Sequence, residues 1–106
     1  MAKYLFTGSF TAEGARGLLA EGGSSRRAAV EKLFASAGGS LESYYFAFGT
    51  DDYFIVGDLP DAASAAAAAL TTSASGAVHT RTVVLLTPEE IDAAARKTPA
   101  YRAPGA

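Results

Sequence analysis

Asp51 and Asp52 stand side by side in Gly49-Thr50-Asp51-Asp52-Tyr53. Two adjacent carboxylates, if buried, raise the pKa of one of them, which suits acid–base work or a cation site. Asp is equally a turn former whose side chain bonds nearby backbone, and a turn between two aromatic runs accounts for both residues without any reaction. Asp52 is the better catalytic candidate, because it abuts a strongly apolar strand. His79, the only histidine, is the other. It shares a strand face with Arg81 and could act as a general base or as an axial ligand to haem. No second histidine is present, so a zinc site is not expected. On an edge strand the same His79–Arg81 pair would be a solvated feature that discourages strand pairing.

Other groups carry weaker signals. Arg26-Arg27 falls in the first turn of an expected helix, where positive charge opposes the dipole, so it reads either as an anion site or as solvated surface. Gly22-Gly23-Ser24-Ser25 before that helix offers backbone N–H groups to a phosphate, but it lacks the Lys-Ser/Thr ending of a P-loop and follows no strand. Tyr4, Tyr44, Tyr45 and Tyr53 matter as a group: each brings an apolar body and a hydroxyl that seeks a partner. Several on one sheet face would line a greasy pocket with a few polar handles. The expected ligand-lining set is Tyr4, Phe6, Tyr44, Phe46 and Tyr53, with Arg81. The competing reading makes these rings filler between subunits. No Ser-His-Asp arrangement is readable.

The elements that must position these residues follow in order. Lys3 to Ser9 reads as a strand with Tyr4 and Phe6 on one face and Leu5 on the other. Thr11 is an N-cap for a short helical segment to about Leu19 or Ala20, weakened by Gly14 and Gly17. After a break at Glu21 to Ser25, Ser24 or Ser25 caps a better helix with Val30, Leu33, Phe34 and Ala37 on one face, stopped by Gly38-Gly39. Together these form one interrupted helical layer. Leu41 to Phe48 is the second strand; alternation places Leu41, Ser43, Tyr45 and Ala47 on one face and Glu42, Tyr44, Phe46 and Phe48 on the other. A tight connection at Gly49 to Asp52 leads to Tyr53 to Leu59, a central strand expected to be buried on both sides. Pro60 ends it. Asp61 caps a helix through the alanine tract to about Ala74. Ala77 to Leu86 is the fourth strand. Thr87-Pro88-Glu89-Glu90 is a capping box with proline at N1, opening a last helix to about Lys97.

The order β-α-β-β-α-β-α, with right-handed crossovers and a central hairpin, predicts an α+β, ferredoxin-like domain: a four-stranded antiparallel sheet, helices on one face, and an extra C-terminal helix. One domain over residues 1–97 and a tail over 98–106 are expected. All four strands carry large apolar groups on both faces, yet the helices cover one. A bare face of that kind exceeds what a soluble monomer normally exposes. A second copy, sheet against sheet, is the economical cover, and it makes a dimeric α+β barrel.

Composition narrows the classes. Apolar residues make up 49% of 106, which is ample for a core. There is no cysteine, so disulfides, thiolate metal sites and cysteine nucleophiles are excluded. Net charge is −2, with no basic block, so nucleic acid is not an expected partner. No apolar run suits a signal peptide or a membrane span, which makes the cytoplasm the expected compartment.

Gly49-Thr50-Asp51-Asp52 followed by an apolar strand and Pro60-Asp61 resembles the motif that names the GYD family. The opening through Phe10-Thr11-Ala12-Glu13-Gly14 and the closing Val78-His79-Thr80-Arg81-Thr82 leading to Thr87-Pro88-Glu89-Glu90 are similar as well. The likeness spans about residues 3 to 97. It departs at the eponymous site, where Asp51 occupies the tyrosine position; Gly49 and Asp52 match, and Tyr53 follows one place on. The resemblance implies a small domain of the dimeric α+β barrel group and no particular reaction.

Three functions fit. The first is a homo-oligomeric binding module that takes a small apolar or aromatic molecule in a sheet-lined cavity, with no cofactor. The second is a cofactor-independent isomerase or oxygenase using Asp52, His79 or a tyrosine as acid or base. The third is an effector-binding regulatory domain. An enzyme should place Asp52 or His79 inside a pocket; a binding module need not.

Overall fold

A computed structural model describes all 106 residues. The elements are β1 (Ala2–Phe10), α1 (Ala12–Glu21), α2 (Gly23–Ser36), β2 (Ser40–Phe46), β3 (Tyr53–Leu59), α3 (Ala62–Ala74), β4 (Val78–Leu85) and α4 (Pro88–Arg96). The strands form one antiparallel sheet in the order β2-β3-β1-β4, the ferredoxin-like arrangement. The expected helical layer between β1 and β2 is two distinct helices.

Local chemistry explains most boundaries. Thr11 caps α1 by accepting from the Gly14 N–H, and Asp61 caps α3 by accepting from the Ser64 N–H. Thr87 and Glu90 complete the capping box of α4. The start of α2 corrects the sequence reading. Neither Ser24 nor Ser25 is its cap; both lie in the first turn, and Gly22, at φ 85°, is the cap and makes the break. A left-handed φ at that corner is what glycine supplies and serine resists.

The register sorts side chains between the two faces. Tyr4, Phe6, Tyr53, Ile55 and Leu59 turn toward the helices, where they form the core with Val30, Phe34, Ala65, Ala68 and Val78. Opposite them, Leu5 lies between Val56 and Val83, and Thr7 lies between Phe54 and Arg81. A bulge between Leu41 and Ser43 breaks the alternation of β2. It returns Leu41 to the helix side, packed on the core with Tyr44, so the sequence pairing of Leu41 with Ser43 and Tyr45 is overturned. The bulge also leaves Glu42 on Lys3, which pairs with Asp58 at 3.1 Å as well.

β3 is an inner strand but is not buried on both sides. Its helix-side residues are buried, whereas Phe54 is 41% exposed. The uncovered face keeps Leu5, Tyr45, Phe54, Val56, Val83 and Leu85. Beyond β4, α4 buries none of its residues and is exposed throughout. No helix is long and apolar enough to cross a membrane.

Candidate functional site

The aromatic residues of the helix side do not all reach the core. Phe10, at the end of β1, stands 6.3 Å from Phe46 and 5.4 Å from Tyr53, ring centre to ring centre; Tyr44 and Phe46 are 4.9 Å apart. These four rings form a partition with space on either side.

On the outer side is an open groove of about 490 Å³, lined by Phe10, Ala15, Leu18, Phe46, Phe48 and Asp52 among others. Its floor comes from the end of β1, one side from α1, and its lip from the β2–β3 connection. Phe48 is fully exposed on that lip. On the inner side is a hollow of about 30 Å³ between the sheet and α2 and α3, which includes Phe6, Phe34, Tyr44, Tyr53, Arg26 and Thr80 in its lining. Phe10 belongs to both spaces.

Three anchors hold this region. The Asp52 carboxylate accepts from the Phe10 N–H at 2.9 Å, and the Asp52 N–H donates to the Gly8 carbonyl at 2.7 Å, so the connection is tied to β1. The Thr7 hydroxyl donates to the Tyr53 carbonyl at 2.8 Å. The start of α1 is clamped on the far side by the Thr11 hydroxyl, which donates to the Gly76 carbonyl, and by Gly14, which lies so close to the Ala77 carbonyl that no Cβ fits.

Two phenols of the hollow are perturbed. Burial pushes the Tyr44 phenol above its ordinary range, and the nearby Arg26 opposes that shift. Burial also raises Tyr53, against Thr80 and Arg26 and with help from Asp51 and Asp52. Both phenols are therefore neutral hydrogen-bond donors at pH 7.

The expected site residues are thus divided. Phe6, Tyr44 and Tyr53 meet at the inner hollow, and Phe46 lines the groove. Tyr4 is buried in the core and lines neither space. Arg81 is on the opposite sheet face, bound to Asp51 at 2.7 Å. His79 is exposed on that same face, opposite Ser9. Arg26 is the cation that the fold actually brings to the tyrosines. The sequence signal for it was its place in a helix's first turn; what was missing was that this turn hangs over β2. No group of His, Asp and Glu is placed to hold a metal ion.

The fold is that of a ferredoxin-like α+β domain with a helix-side aromatic crevice. The GYD domain family model matches residues 4–95, and the chain belongs to that family. No curated protein and no solved structure matches the chain significantly.

Proposed function

We propose that this GYD domain is a binding module that seats a small, largely apolar or aromatic molecule in the crevice beside Phe10 and Phe46. One observation carries the reading: phenylalanine rings and Leu18 surround an open groove of about 490 Å³ with few polar groups. That size falls within the roughly 300–1,000 Å³ of small-molecule sites, and the lining is the usual mixture. The acid–base alternative has less support. Asp52 is engaged by the Phe10 N–H, and His79 lies in the open on β4. A fluorescence titration with Nile red, a neutral aromatic probe, tests the proposal. Ala15→Phe fills the groove from α1 and is expected to abolish probe binding with the fold intact. If Ala15→Phe binds like wild type and Val83→Lys does not, the ligand face is the open sheet instead.

The uncovered face favours self-association as part of the same reading. Leu5, Phe54, Val56, Val83 and Leu85 form a contiguous apolar surface, and a second copy laid against it would remove it from water. This dimer would meet through the opposite side of the sheet from the crevice, leaving the groove free. Sedimentation should find a dimer for wild type and a monomer for Leu5→Lys; a wild-type monomer at micromolar concentration refutes the pairing.

A further inference from the structure

We propose that the ligand is an amphipathic monocarboxylate, with its apolar body in the outer groove and its carboxylate behind the Phe10–Phe46 pair against Arg26. This rests on the crevice being the ligand site. Two half-buried cations exist in the chain, Lys3 and Arg26. Lys3 has two carboxylates, Glu42 and Asp58. Arg26 makes no ion pair, although its neighbour Arg27 pairs with Glu31. A half-buried cation whose partner is only the neutral Tyr44 phenol is under-compensated, and a ligand carboxylate relieves it.

The rest of the hollow matches. Its polar side chains besides Arg26 are two phenols and two threonine hydroxyls, and no carboxylate lines it. The Thr72 hydroxyl is committed to the Ala68 and Ala69 carbonyls, while Tyr44 lies by Arg26 and Tyr53 by Thr80, within reach of a guest in the hollow. An anion meets donors there, and a ligand ammonium would meet Arg26. Size divides the ligand the same way. The hollow's 30 Å³ holds about two waters, the space of a carboxylate's two oxygens, but not a ring or chain. The groove is large enough for the body. Phe10 borders both, so a ligand that spans them displaces its ring from Phe46, and the boundary between head and body falls there.

Calorimetric titration of the full chain with octanoate and with octanamide, at pH 7.5 and at low and high salt, tests this. Octanoate should bind roughly tenfold or more tightly than octanamide, as expected for a charge-assisted hydrogen bond, with a gap that narrows in salt. Arg26→Gln breaks no ion pair in the protein and should erase the preference by weakening octanoate far more than octanamide. Equal binding of the two ligands, or a preference that survives Arg26→Gln, overturns the carboxylate assignment and leaves the apolar crevice standing. Failure of both ligands to bind overturns the crevice as well.

Discussion

Gly57 offers the sharpest test of the packing beneath the hollow. It faces α2 from β3, directly under Phe34, which is 2% exposed and lies 5.2 Å from the Phe6 ring. A Cβ at position 57 would stand 2.7 Å from Phe34 Cδ2 and closer still to Cε2. Carbon atoms pack at about 3.5–4.0 Å, so the ring must shift by roughly 1 Å in a filled core. Such overpacking costs about 1–3 kcal/mol. The backbone contributes no strain, because Gly57 is not among the glycines with positive φ. Gly57→Ala should therefore lower the melting temperature by roughly 5–20 °C. The sign should reverse when the ring is absent. In a Phe34→Ala background the clash is gone, and alanine is better than glycine in a strand by about 0.5–1 kcal/mol. The coupling energy from urea denaturation of the four proteins should be about 1.5–4 kcal/mol. Phe34→Ala alone costs about 3–5 kcal/mol, so Phe34→Leu provides a milder second background. If Gly57→Ala is harmless, or equally harmful with and without the ring, the proposed packing of Phe34 on β3 is wrong.

Two further outcomes follow from the same geometry. Asp52→Ala leaves the Phe10 N–H without its acceptor; it should cost about 1–2 kcal/mol in denaturant melts and weaken Nile red binding, although the motion is transmitted through Phe10. The raised pKa values of Tyr44 and Tyr53 imply an alkaline limit. Their neutral forms are favoured in the fold, so the stability they contribute is complete below the unfolded value near 10 and is lost as pH rises past it. Melts of a Tyr44→Phe/Tyr53→Phe variant should therefore lose less stability than wild type between pH 9 and about pH 11; an identical alkaline loss would contradict the burial of the phenols.

The sequence made the local decisions legible and the sidedness illegible. Thr11, Asp61 and the Thr87–Glu90 box are short-range hydrogen-bond devices, and each caps the helix its position suggests. The β2–β3 connection and the inner position of β3 were readable for the same reason. Which rings turn toward the helices was not, because both faces of every strand carry large apolar groups, and alternation alone cannot rank them. The bulge at Leu41/Ser43 shows the problem in one residue: a single unpaired position moves Leu41 to the other side. The site suffered likewise. Tyr44 and Tyr53 share the hollow, but Arg81, close in strand pattern, lies on the other sheet face, and Arg26, in the sequence only a first-turn cation, is brought near by the packing of α2.

Ligand entry on the helix side of the sheet is open to a direct test by amide chemical-shift mapping of the ¹⁵N-labelled protein during a Nile red titration. Saturating shifts should cluster at Phe10, Ala15, Leu18, Gly23 and Phe46 to Phe48. Shifts confined to Leu5, Phe54, Val56 and Val83, with the crevice amides unmoved, would place binding on the opposite face and contradict the account.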